Sequence, residues 1–316
     1  MTRVAGIDCG TNSIRLLVAD VDPTTGAVTD VDRRMEVVRL GQGVDRTGSI
    51  APEAMARTLE AARRYADICS GFGVERVRFV ATSATRDAAN RGEFVAGVRS
   101  ALGVEPEVIE GEEEALLSFR GATGALSGRH PGPFCVVDIG GGSTELVLGT
   151  ETVAAASMDV GCVRLTERHL AGDPPPPEQV AAARTDIERA LDAALAVVPV
   201  ARTTTLVGLA GSVTTVTAHA LGLERYDPER IDAAVLAVEV VVACATDLVR
   251  MPRSRRAALP FMHPGRVDVI GAGALIWAEV VTRVAGEVAA AGGELRTVVT
   301  SEHDMLDGLV LSVAGA

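Results

Sequence analysis

The chain of 316 residues contains no lysine, and all thirty of its basic residues are arginine. That absence excludes any mechanism built on a Schiff-base or phosphate-gripping lysine, and with it the Walker P-loop. Aromatic residues make up only 3% of the chain, against 47% for apolar residues as a whole. Cores must therefore be assembled from Ala, Val, Leu and Ile, as in sheets covered by helices, which predicts an α/β class. The five cysteines, Cys9, Cys69, Cys135, Cys162 and Cys244, include no Cys-x-x-Cys pair. Neither a disulfide framework nor a zinc site follows, and a reducing cytoplasm is the expected compartment. The most apolar long stretch, 233–249, carries Glu239 and Asp247, so it is read as a packed helix rather than a membrane span. Met1 leads directly into Val4-Ala5-Gly6-Ile7-Asp8, a strand pattern with no trace of a secretory signal. A net charge of −12 sets the surface as a whole against nucleic acid and anionic membranes, and neither is expected as a partner. Recognition of an anion must then be focal, through local arginines and backbone N–H groups.

What is present is a duplication. The pattern Ile7-Asp8-Cys9-Gly10-Thr11-Asn12-Ser13, followed by Ile14-Arg15-Leu16-Leu17-Val18, reads as strand, tight turn and strand. It recurs as Val136-Val137-Asp138-Ile139-Gly140-Gly141-Gly142-Ser143-Thr144-Glu145-Leu146, which aligns Asp8 with Asp138 and Gly10 with Gly140. A second pair keeps the order: the strand before Thr82-Ser83-Ala84-Thr85 parallels the strand before Gly211-Ser212-Val213-Thr214. A third closes each half, with β-branched strands running into acidic helix starts near Glu112 and Glu302. The length and the repeat predict two α/β domains, 1–124 and 125–316, with the helix 302–316 packing back on the first. Asp8 and Asp138 are expected to face one interdomain cleft. The tract Pro174–Pro177 reads as a stiff loop leading into a helix over 178–198.

The glycines at 140–142 allow backbone N–H groups to converge on a phosphate, with Ser143 and Thr144 adding hydroxyls. Asp138 and Glu145 flank that turn, so their side chains can share a face and form a carboxylate pair suited to Mg2+, with Mn2+ as the substitute. The segment from Thr82 through Arg86 offers hydroxyls, amides and an arginine to an anion, although Ser83 or Thr85 would equally serve as an ordinary helix cap. Gly211 and Ser212 offer the same with no arginine beside them. A phosphatase without a cysteine nucleophile needs a carboxylate to activate water, and the run Glu110, Glu112, Glu113, Glu114 supplies candidates among which the residues alone do not choose. The five histidines are isolated and read as structural or exposed. Arg250, Arg253, Arg255 and Arg256 read as a solvated face, or as guides for a polyanion.

These motifs, together with Ala81-Thr82-Ser83-Ala84-Thr85-Arg86-Asp87-Ala88 and Gly111-Glu112-Glu113-Glu114-Ala115, resemble the exopolyphosphatase and guanosine-pentaphosphatase (Ppx/GppA) family. The resemblance spans the chain. It implies a duplicated actin-like, ribonuclease H-like (ASKHA) fold of the short two-domain type, and Mg2+-dependent release of terminal orthophosphate from inorganic polyphosphate. The same chemistry on guanosine pentaphosphate is the alternative, and a non-catalytic polyphosphate-binding or actin-like protein is the next. The resemblance nominates Glu114 as catalytic base and Asp138 and Glu145 as metal ligands. Its phosphate-holding positions fall on Thr11, Asn12, Ser13, Arg86, Gly141, Gly142 and Ser143, and on Gly211 and Ser212. There the loop Gly208-Leu209-Ala210-Gly211-Ser212 departs from the family's Gly-rich, threonine-ending pattern. A homodimer is a further expectation of the resemblance.

Overall fold

A computed structural model describes residues 1–22, 24–150 and 153–314. The chain divides into two compact units. One comprises Met1–Gly121 and the chain from Met305, and the other Ala122–Asp304.

The first unit opens with β1 (Thr2–Cys9), β2 (Ser13–Val21) and β3 (Val28–Val37), then α1 (Val44–Thr47), α2 (Pro52–Gly71), β4 (Arg76–Ala81), α3 (Ser83–Arg86), α4 (Arg91–Leu102), β5 (Glu107–Val108) and the first turns of α5 (Gly111–Leu126), whose last residues from Ala122 belong to the second unit. Its strands lie in the order β3-β2-β1-β4-β5, with β1 antiparallel to β2 and parallel to β4. Residues 4–9 of β1 are buried without interruption. That is the pattern of a strand covered on both faces, and the aliphatic composition supplies it.

The second unit contains β6 (Phe134–Ile139), β7 (Thr144–Gly149), β8 (Val153–Met158), α6 (Cys162–His169), α7 (Pro177–Leu195), β9 (Thr205–Leu209), α8 (Ala210–Ala220), α9 (Pro228–Ile231), β10 (Val235–Ala237), α10 (Val238–Arg250), α11 (Arg253–Ala257), α12 (Ile270–Ala290) and β11 (Thr297–Thr300). Its sheet runs β10-β11-β9-β6-β7-β8. Leaving aside the edge strand β10, each sheet has the order third-second-first-fourth-fifth. This is the duplicated actin-like α/β fold. The core is centred on α12, whose Trp277 is fully buried against Gly208 of β9, where a β-carbon would lie 2.7 Å from the indole.

A last helix, α13 (Met305–Ala314), returns to the first unit. It lies on β1 at Gly6, where an added β-carbon would come within 3.2 Å of Val310 and Leu309.

Three expectations need correction. The stretch 233–249 is not one helix, because Val235–Ala237 pairs antiparallel with Val299, Val298 and Thr297 at the sheet edge before α10 begins. The proline-led helix ends at Leu195 rather than 198. The last helix starts at Met305 rather than Glu302, since Ser301–Asp304 form a tied loop. Asp232 Oδ1 accepts from the Glu302 amide at 3.0 Å, and Ser301 Oγ accepts from the His303 amide at 3.0 Å. No helix among the described residues is long and apolar enough to cross a membrane.

Candidate active site

The two Gly-rich turns close identically. Gly10 N donates to Ser13 O at 3.0 Å, and Gly140 N donates to Ser143 O at 3.0 Å. The strands that flank them differ in charge. Asp8 stands opposite Arg15 in the first hairpin, and the two make an ion pair at 2.5 Å. At the matching places of the second hairpin Asp138 stands opposite Glu145. Directly opposed residues on adjacent strands hold their β-carbons about 5 Å apart on one face. The second hairpin thus holds two carboxylates side by side, 7% and 1% exposed. Ser157 Oγ donates to Glu145 Oε1 at 2.8 Å, which fixes that side chain.

Two close carboxylates repel, and a hard divalent cation relieves that repulsion. No group of three or more His, Cys, Asp or Glu side chains that could cage a metal occurs among the described residues. A metal held by Asp138 and Glu145 would complete its shell with water and substrate phosphate, which is how Mg2+ is commonly bound. The residues present fit that ion.

Behind the turn of the second hairpin sits the start of α6. Cys162 N donates to Gly140 O at 3.0 Å, Val163 N and Arg164 N donate to Gly141 O at 2.9 and 3.1 Å, and Arg164 Nε donates to Gly142 O at 2.7 Å. The first hairpin is held in a related way. Val38 N and Arg39 N donate to Asn12 O at 3.1 and 2.8 Å, and Gly41 N donates to Thr11 O at 2.8 Å. Thr11 is buried, while Asn12 and Ser13 are half-buried.

The acidic run resolves by burial. Glu110, Glu112 and Glu113 are exposed, and Glu113 is taken up by Arg78 at 2.6 Å. Glu114, at the start of α5, is 7% exposed and lies 3.6 Å from Arg86 Nη1. The same Arg86 nitrogen donates to Ile109 O at 2.7 Å, which anchors the guanidinium beside the carboxylate. Neither Ser83 nor Thr85 caps α3. The capping position is Thr82, with no side-chain cap bond, and Thr85 Oγ1 is buried with no hydrogen-bond partner among the described residues. A hydroxyl in that state costs free energy until a partner arrives.

Gly211 and Ser212 open α8, where Ala210 takes a left-handed φ of 64°. Gly211 is covered by a residue the sequence did not point to: an added β-carbon would meet the Arg266 guanidinium at 2.3 Å. Arg266 also stacks over Tyr226, 5.9 Å from the ring centroid, and its Nη1 lies 3.5 Å from Thr215 Oγ1. Tyr226 in turn donates to Glu302 Oε1 at 2.6 Å. Burial is the main force pushing the Glu302 carboxyl above its ordinary range. Arg266 therefore supplies the cation that the Gly211–Ser212 segment lacks locally. No local pattern could reveal it 55 positions downstream of Gly211. Of the neighbouring arginines, Arg250, Arg253 and Arg255 are exposed as a solvated face requires, Arg253 pairing with Asp268 at 2.5 Å, whereas Arg256 is 6% exposed and lies 3.5 Å from Asp173.

A family model described as the Ppx/GppA phosphatase family matches residues 17–296. Exopolyphosphatase 2 of Mycobacterium tuberculosis is 50% identical over 323 aligned residues, covering 100% of this chain and 99% of that protein. Among solved structures, one titled an exopolyphosphatase-like protein matches with a TM-score of 0.95 at 46% identity, covering 98% of this chain and 97% of its own. The PPX-GPPA enzyme of Aquifex aeolicus matches with a TM-score of 0.78 at 30% identity, covering 98% and 99% respectively.

Proposed function

The chain belongs to the Ppx/GppA phosphatase family, and from that premise we propose that it is an exopolyphosphatase, a hydrolase that removes terminal orthophosphate from inorganic polyphosphate. The observation that carries this reading is the second hairpin, where a buried carboxylate pair and a Gly-rich turn lie in one short segment. Glu114 accepts the proton of the attacking water as the terminal phosphoanhydride P–O bond breaks. Arg86, anchored on Ile109 O beside Glu114, binds the terminal phosphate oxygens. The turns at Thr11–Ser13 and Gly141–Ser143 donate amides and hydroxyls to phosphate, as do Gly211 and Ser212, with Arg266 over them. Asp138 and Glu145 hold Mg2+, with Mn2+ as its substitute, and this cation supplies charge neutralisation of the phosphate. A cytoplasmic homodimer, with neither nucleic acid nor membrane as partner, completes the proposal.

The test is orthophosphate release from polyphosphate and from guanosine pentaphosphate, with and without a chelator, for the unaltered protein and for Asp138→Ala. Release from polyphosphate should stop with chelator, and Asp138→Ala should lose activity that excess Mg2+ partly restores. Release from guanosine pentaphosphate alone would give the family's other substrate. Absence of release from both would overturn the enzyme reading.

A further inference from the structure

The residues that would hold phosphate in the second hairpin are three successive amides, those of Gly141, Gly142 and Ser143. A planar trans peptide directs the C=O of one residue and the N–H of the next to opposite sides. Whatever fixes the carbonyls of Gly140, Gly141 and Gly142 therefore also aims those three N–H groups. All three carbonyls are fixed from one side, the start of α6. Gly140 O and Gly141 O are taken by first-turn amides, and Gly142 O by the Arg164 guanidinium. None of the three amides donates a hydrogen bond among the described residues. The turn is thus held by its acceptors with its donors left over.

Two side-chain facts make that grip possible. Arg164, half-buried on α6, supplies the only one of the four bonds that comes from a side chain. Gly161, the residue before α6, lies so close to the turn that a β-carbon there would sit 2.5 Å from the carbonyl carbon and oxygen of Gly141 and 2.6 Å from the carbonyl carbon of Gly142. These neighbours are backbone, with no flexible end to yield. In the first hairpin a glycine is also close to the turn, but a β-carbon at Gly41 would meet a side chain, 2.3 Å from Thr11 Cγ2, and backbone amides of Val38, Arg39 and Gly41 reach the carbonyls there.

We propose that Arg164 and Gly161 are positioning residues that hold the carbonyls of the Gly140–Gly142 turn against α6, so that its amide row is presented to the terminal phosphate. Neither touches substrate, and both act through the orientation of peptide planes. An amide row aimed before substrate arrives spares the cost of ordering it on binding, so its loss appears mainly in substrate affinity. The inference rests on the reading of the protein as a polyphosphate hydrolase.

The experiment compares Arg164→Ala, Arg164→Lys, Gly161→Ala and the control Arg168→Ala, a surface change on the same helix whose partner is Asp186. Steady-state phosphate release, equilibrium binding of inorganic tripolyphosphate by calorimetry and thermal unfolding are measured for each. Arg164→Ala should raise KM and weaken tripolyphosphate binding about tenfold, kcat falling by less. Arg164→Lys should recover part of the affinity, because one donor can still reach Gly142 O. Gly161→Ala should weaken binding at least as much, while Arg168→Ala leaves both constants unchanged. Unaltered KM and binding in Arg164→Ala overturn the proposal. So does a loss in Arg164→Ala that merely tracks a fallen melting temperature and is shared by Arg168→Ala. Binding without turnover in the unaltered protein would sink the hydrolase reading and leave the binding constants to decide this one. Neither binding nor turnover would end both.

Discussion

Glu114 shows how one carboxylate in a run of four acquires a distinct chemistry. Its neighbours 112 and 113 face water, whereas Glu114 turns inward to within 3.6 Å of Arg86. Arg86 sets a positive charge beside the carboxylate, and burial keeps bulk water from surrounding it. Glu114→Gln preserves shape and removes the basic oxygen. Turnover should fall about 10²- to 10⁴-fold, with tripolyphosphate binding unchanged or tighter because a negative charge has gone. Phosphate release and calorimetry on the same preparation check this, and near-normal turnover would transfer the role away from Glu114. The sequence alone could not single it out, because four acids at a helix start are equally compatible with the helix dipole. Only the resemblance to a family named it, and only burial separates it from Glu113.

At the scale of elements, what was legible was what is contiguous. The two hairpins announce themselves as apolar strand, Gly-rich turn and second strand, and their repetition foretells two sheets of the same strand order. What stayed hidden depends on residues brought together late. The edge strand β10 is three residues inside an apolar stretch, and only its pairing with β11 distinguishes it from the helix that follows. Arg266 and Arg164 act on backbone far from them in sequence or in another element, so no spacing rule exposes them. Arg266 is delivered by the short turn Pro264–Arg266, which has a pH-sensitive fastening. His263 Nδ1 accepts from the Gly265 amide at 3.1 Å. Burial, and secondarily the charge of Arg266, hold the His263 ring below its ordinary value of 6.5. The neutral ring is thus the one the fold favours. Its contribution to stability is present above about pH 6.5 and is lost as the pH falls through the lower value in the folded chain. His263→Asn retains an acceptor but does not titrate. The drop in melting temperature between about pH 7.5 and about pH 5 should therefore be smaller in this variant than in the unaltered protein. Equal drops would show that His263 carries no such linkage.

For the whole molecule, the two units are not two consecutive halves of the chain. The first is closed by α13, whose Met305, Leu306, Leu309 and Val310 cover Val4, Leu17 and Val80 of its sheet. At Gly308 the helix comes so near α5 that a β-carbon would lie 2.1 Å from Leu117 O. Ending the chain at Asp304 should therefore leave the segment Met1–Gly121 open to limited proteolysis while Ala122–Asp304 resists. Mass spectrometry of the fragments checks this, and equal resistance of both segments would show that α13 is dispensable. The same arrangement sets a timetable for synthesis. From Gly121 to Met305 is 184 residues, and at ~5 to 20 residues per second their translation takes roughly 10 to 40 s. For that interval the first sheet, made early, waits with an apolar face uncovered. The nascent chain is then most exposed to sticking and to holding factors in the cell, and a pause in translation between those positions would lengthen the exposure without altering a single residue of the finished protein.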